Sequence, residues 1–168
     1  ETASIARALA PHRPLVHIEA PATLDGGDVL VMGKAIFVGL STRSDRQAIA
    51  QLQELLRPFG YTVTGVPLRG CLHLKSAVTR VDDETLLINR SWVDEAPFSN
   101  FGLIAVDAAE PHAANCLPVN GRVVFPEAFP DTREKLERRG YNVAPVALDE
   151  LAKAEGAVTC CSLVFERR

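Results

Sequence analysis

The sequence has no apolar run near the roughly 20 residues that a bilayer-spanning helix needs, and no basic segment leading into an apolar stretch and a small-residue cleavage site. Those absences exclude a membrane span or secretory leader on pattern grounds and point to a cytoplasmic protein. It also lacks an excess of basic charge: 18 Lys and Arg stand against 21 Asp and Glu, for a formal net charge of -3. A nucleic-acid or anionic-membrane partner is therefore not expected. The four cysteines, Cys71, Cys116, Cys160 and Cys161, show no CxxC spacing, which argues against a zinc site, a thioredoxin-like site or a disulfide framework. Low-complexity stretches and Gly/Ser linkers are missing too, so residues 1–168 read as one domain. Because the chain opens at Glu1 directly into helix-like Thr2-Ala3-Ser4-Ile5-Ala6-Arg7-Ala8-Leu9, we expect further protein upstream.

What is present is a repeat. Residues 28–32 and 35–39 read as two strands around a Gly33-Lys34 turn, followed by a helix over 44–57 with apolar positions at Ala48, Leu52, Leu55 and Leu56. Gly60 suits a left-handed helix terminus, and residues 61–66 read as a third strand. The order recurs downstream. Strands are expected over 115–119 and 122–125 around Asn120-Gly121, a pair that favours a type I′ hairpin. A helix then opens at Asp131, with Glu134 three residues later as a capping box, and Gly140 ends it before a strand over 141–146. Between the copies, hairpin strands over 76–81 and 85–88, a poorer helix near Trp92 and a strand over 102–106 suggest a middle module. The fold class is α/β, built of ββαβ modules. If such modules surround an axis, the segments after their third strands meet near it: Leu68-Arg69-Gly70-Cys71-Leu72-His73 from one and residues 148–160 from another.

Those two segments carry the chemistry. Cys160, in Thr159-Cys160-Cys161-Ser162-Leu163, has the side chain of a nucleophile if a nearby cation favours its thiolate; two small buried residues are the competing reading of Cys160-Cys161. His73 has the side-chain chemistry to move protons at neutral pH, or it is a structural histidine with a satisfied hydrogen bond. His12, His17 and His112 carry no such suggestion. In Leu24-Asp25-Gly26-Gly27-Asp28, the glycines allow a sharp turn that brings one carboxylate inward while the other starts a strand; a plain acidic turn is the alternative. Taken together, nucleophile, base and base-orienting carboxylate form the general triad arrangement. Arg43, at a strand-to-helix junction, is suited to a bidentate grip on a carboxylate, although surface arginines are commoner.

Thr23-Leu24-Asp25-Gly26-Gly27-Asp28, Gly39-Leu40-Ser41-Thr42-Arg43, Leu72-His73-Leu74-Lys75-Ser76, Ala113-Ala114-Asn115-Cys116 and Thr159-Cys160-Cys161-Ser162-Leu163 occur in this order along the whole chain. This set resembles the amidinotransferase superfamily and, within it, most closely the dimethylarginine dimethylaminohydrolases. The resemblance implies a pentein-type α/β propeller of which this chain would form an incomplete ring, its N-terminal modules missing. It implies hydrolysis of Nω-methylated arginine to citrulline and an alkylamine, with Cys160 as nucleophile, His73 as proton carrier and Asp25 holding the histidine. Arg43 matches an arginine for the substrate α-carboxylate, and the backbone around Ala154 matches a contact to the substrate amino group. Cys161 is the neighbour of the nucleophile. Deiminases and amidinotransferases of the superfamily carry an Asp two residues after the histidine; Lys75 stands there and favours the methylarginine hydrolase over an arginine deiminase-like enzyme. A noncatalytic arginine-binding protein is the other alternative. No cofactor and no metal are implied, the expected partner is a small methylated arginine, and a homodimer is compatible.

Overall fold

The computed structural model describes residues 2–160 and 162–164. Its described residues form three three-stranded sheets of identical topology. In the first, β1 (Val29–Met32) pairs antiparallel with β2 (Ala35–Leu40), and helix α2 (Arg46–Leu56) crosses to β3 (Thr62–Pro67), which lies parallel to β2. In the third, β7 (Leu117–Val119), β8 (Arg122–Pro126), helix α4 (Pro130–Glu137) and β9 (Val143–Val146) repeat that plan. The middle sheet, β4 (Val78–Arg80), β5 (Thr85–Ile88) and β6 (Gly102–Ala105), has the same pairing. Where the sequence suggests a poor helix near Trp92, the chain makes turns and one short 3-10 turn at Ala96–Phe98. An N-terminal helix, α1, covers Thr2–Leu9.

The turn chemistry read from the sequence is realised. Gly60 and Gly140 follow their helices at φ 77° and 87°, and Asn120-Gly121 takes positive φ at both positions, 49° and 75°, as a type I′ turn requires. Two local expectations fail. Glu134 does not close a capping box; it pairs with Arg138, while the carboxylate of Glu110 accepts the N–H groups of Asp131 (3.0 Å) and Thr132 (2.7 Å). A buried acid brought in from another segment does the capping because it satisfies two orphan donors at once. The second failure lies after His73. Residues 76 and 77, expected to begin a strand over 76–81, belong to a helical turn, α3 (Leu74–Ala77), from which β4 runs on directly.

Core packing places the middle sheet between its neighbours. Leu86 and Ile88 of β5 join Leu30, Phe37, Val66 and Leu74 of the first module in one apolar cluster. Leu87, on the opposite face, joins Phe125 and Leu136 of the third in another. Successive strand residues point to opposite faces, so a strand covered on both sides must be apolar throughout, as Leu86-Leu87-Ile88 is. Leu74 and Ala77 of α3 are fully buried in the first cluster. The histidine that precedes α3 is thereby mounted on the core.

Candidate active site

The corner around His73 is assembled from three loops. Asp25 precedes a 3-10 turn at Gly26–Asp28, and its Oδ1 accepts the Gly27 N–H at 2.8 Å. Its own N–H donates to Ser44 Oγ at 2.9 Å, which ties this turn to the loop after β2. The other carboxylate oxygen, Oδ2, lies 3.3 Å from His73 Nε2 and 3.5 Å from an Arg43 guanidinium nitrogen. That distance makes an ion pair with a charged imidazole, but the approach is off the line a hydrogen bond needs, and Nε2 has no directional partner. Asp25 ionises below its ordinary range. Burial works against this and is the largest single influence, but the Gly27 N–H, the His73 charge and the contacts with His73 and Arg43 together outweigh it.

Gly27 is required for steric reasons. A Cβ there would lie 2.7 Å from His73 Cγ and 2.9 Å from Nδ1, well inside contact distance for a rigid ring. The glycine thus gives the imidazole a flat backbone surface on which to rest. Asp28 turns out to be the more deeply committed of the two acids. The sequence suggests that only one of them faces inward, but Asp28 is fully buried and its Oδ1 accepts the Leu74 N–H at 3.0 Å while Oδ2 accepts Ser41 Oγ–H at 2.6 Å. It binds the first amide of α3, directly after His73, to the loop that leads to Arg43. Each such charge-assisted bond contributes about 1.5–3 kcal/mol.

Cys160 sits on a different part of the molecule. Helix α5 (Asp149–Ala152) ends in a tight turn in which Ala154 N–H (3.0 Å) and Gly156 N–H (2.9 Å) both reach the Leu151 carbonyl. Cys160 is exposed, its Sγ within 3.1 Å of the Ala157 N and 3.0 Å of the Ala157 carbonyl. Ala154 is exposed on the same turn. Cys161 lies outside the described residues. The segments after the third strands do converge: Gly70, Cys71 and Leu72 line a cavity of about 300 Å³ together with Leu148, Ala152, Gly156 and Ala157. Lys75, half-buried on α3, connects the two halves electrostatically. Burial pulls its ammonium down from the ordinary value, and the charges of Asp25, Asp28 and Cys160 pull it back.

The structure therefore brings Asp25, His73 and Arg43 together at one carboxylate, and links Cys160 to them through the field of Lys75. Sequence reading assigned no role to Asn115 beyond a shared motif. Its amide spans the gap, donating to the Lys75 carbonyl and to Thr159 Oγ1, each at 2.8 Å, and accepting the Thr159 N–H at 3.2 Å. Of the other thiols, Cys71 is raised by burial and by the Asp28 charge, and Cys116 is pushed by complete burial up to about 12. His112 packs edge-on against Trp92.

The sequence model of the arginine deiminase family matches residues 15–115. The chain belongs to that family. It is 36% identical over 148 residues to an N(G),N(G)-dimethylarginine dimethylaminohydrolase of Pseudomonas aeruginosa, covering 88% of this chain and 58% of the relative. It is 35% identical over 166 residues to the enzyme of the same name from Streptomyces coelicolor, covering 97% and 63%. The chain thus spans about three-fifths of these relatives. A cysteine-to-serine mutant of the Pseudomonas aeruginosa protein, solved with citrulline, superposes with a TM-score of 0.88 at 33% identity over 94% of this chain and 63% of its own. The N-terminal domain of ArgZ, an arginine dihydrolase from cyanobacteria, superposes at 0.80 with 21% identity over 89% and 59%; that likeness speaks for the fold alone. Among the described residues, no helix is long and apolar enough to cross a membrane.

Proposed function

We propose that the protein to which this chain belongs hydrolyses Nω-methylated arginines to citrulline and dimethylamine or methylamine. The observation that carries the reading is the His73–Asp25 pair, 3.3 Å apart on a half-buried corner, in a chain 36% and 35% identical to two dimethylarginine dimethylaminohydrolases. The Cys160 thiolate attacks the guanidinium carbon and a C–S bond forms. The C–N bond to the methylated nitrogen then breaks, and His73 gives its proton to the departing amine. Neutral His73 next takes a proton from water. The resulting hydroxide adds to the thiouronium carbon, the hydroxyl proton passes to solvent as the carbonyl forms and the C–S bond breaks, and citrulline leaves with the thiolate restored. Asp25 stabilises the imidazolium in both half-reactions, Arg43 turns its guanidinium to the substrate α-carboxylate, and the backbone at Ala154 contacts the substrate amino group.

The three modules of this chain would be consecutive units of a pentein-type propeller, with additional modules supplying the acids that grip the guanidinium. Lys75 separates this reading from arginine deimination. A carboxylate two residues after His73, as the resemblance implies for deiminases, would help hold an arginine guanidinium, and the ammonium of Lys75 cannot take that role. Product analysis tests the assignment. The chain together with the residues encoded upstream of it, given asymmetric dimethylarginine, should release citrulline and dimethylamine in equal amounts; ammonia from arginine with no alkylamine from the methylated substrate would overturn it in favour of a deiminase.

A further inference from the structure

A rigid support runs from the second sheet to the nucleophile segment. Thr79, fully inside β4, donates its hydroxyl to the Ala114 carbonyl at 2.6 Å and accepts the Cys116 N–H at 3.0 Å. One hydroxyl thus grips the backbone on both sides of Asn115. The Asn115 side chain, itself only 6% exposed, leaves that support toward α3 and residue 159. Both protons of its amide nitrogen are used at 2.8 Å, one on the Lys75 carbonyl and one on Thr159 Oγ1, and its oxygen takes the Thr159 N–H. This matches the donor and acceptor capacity of a primary amide; a carboxylate of the same shape would have no proton for the Lys75 carbonyl. The residue it holds twice, Thr159, immediately precedes Cys160, and the residue it holds once lies two positions after His73.

We infer that Asn115 is a positioning residue, one that fixes the Cys160 segment against the His73 helix through paired hydrogen bonds to Thr159 and a third to the Lys75 backbone. The inference rests on Cys160 being the nucleophile. The other hydrogen bonds given for this segment are local: the Cys160 thiol turns back on Ala157, and Ser162 Oγ donates to the Val158 carbonyl. Without the Asn115 amide the segment that carries Cys160 loses its hydrogen-bonded placement against α3 and the residues around His73.

The test compares this chain with Asn115→Ala, Thr159→Val and Thr159→Ser. The rate of Cys160 alkylation by iodoacetamide at fixed pH is read by peptide mass spectrometry, with buried Cys116 followed in the same digest as a monitor of global opening. Asn115→Ala and Thr159→Val should shift the Cys160 rate by about tenfold while Cys116 stays unlabelled; Thr159→Ser, retaining hydroxyl and N–H, should restore the Cys160 rate of the unaltered chain. In the upstream-extended protein, the first two variants should lose roughly 100-fold in kcat with KM little changed. If Asn115→Ala fails to fold, Thr159→Val decides the matter alone. Unaltered Cys160 rates in the folded variants would overturn the inference. Failure of the hydrolase assignment would appear separately, as no citrulline from the unaltered protein, and leaves the alkylation comparison intact.

Discussion

The histidine corner and the nucleophile segment are built on opposite principles. His73 stands at the head of a helix whose residues Leu74 and Ala77 are fully buried; its ring rests on Gly27, and Asp28 fastens the next amide from below. Cys160 is exposed, at the end of a segment held by local turns, by buried Val158 and by the side chain of Asn115. A proton carrier has to keep one orientation through two half-reactions, and a corner backed by the core provides that. The Cys160 segment depends more on polar contacts, those of Asn115 above all, and less on apolar packing. The difference locates most of the buried support of the site away from the proposed nucleophile.

The largest effect is expected from the corner. Asp28→Ala leaves the Leu74 amide and the Ser41 hydroxyl without their acceptor in a buried place, and should cost about 3 kcal/mol of stability by urea denaturation. A loss as small as that of a surface substitution would mean that the corner is not the stiffer half. Next comes Gly27→Ala, whose methyl would meet the imidazole at 2.7 Å. It should cost about 1–3 kcal/mol and displace the His73 ring resonances in an NMR spectrum, while the signals of residues 157–160 stay where they are.

These two positions also show where sequence reading succeeds and where it stops. Gly60, Gly140 and Asn120-Gly121 were legible because the requirement for positive φ is met by the residue itself. The ββαβ repeat was legible because strand and helix periodicities are local. Asp25, His73 and Cys160 were legible as chemical types. The burial of Asp28, the Glu110 cap on α4 and the reach of Asn115 were not, since each depends on partners 13 to 46 residues away; nothing in spacing records such a bond. The helical turn at α3 was hidden for a related reason. Its first amide is satisfied by Asp28, so a Leu-Lys-Ser-Ala run with strand-like neighbours can fold as helix.

A smaller effect separates the halves by pH. Because Asp25 ionises below its ordinary value in the folded chain, the stability it confers is complete above the unfolded carboxylate value of about 3.9 and is lost as pH falls through the lower folded one. Unfolding midpoints measured below about pH 4 should therefore decline more steeply for the unaltered chain than for Asp25→Asn. Equal slopes would show that the His73 and Arg43 contacts do not favour the ionised acid. Cys116 gives the opposite sign. Its raised thiol should make folding stability fall as pH rises above about 8.5, where the unfolded thiol ionises and the buried one does not.

The smallest effect is a matter of order. Among the three described cysteines, brief treatment with a thiol reagent at mildly alkaline pH should label exposed Cys160 first, half-buried Cys71 later, and buried Cys116 only on unfolding. Early labelling of Cys71 would place the looser half of the site at the histidine loop instead.

The account turns on Cys160 and His73 acting on one carbon, and the most direct test is to trap the intermediate. The upstream-extended protein carrying His73→Ala should be mixed with an S-methyl isothiourea analogue of the substrate, whose methanethiolate departs without a proton from the histidine, then quenched in acid and digested for mass spectrometry. With the proton carrier removed, the peptide containing Cys160 should gain the mass of a thiouronium adduct and the same peptide of Cys160→Ser should gain none. An adduct on another cysteine, or citrulline released by the Cys160→Ser protein, would contradict the account.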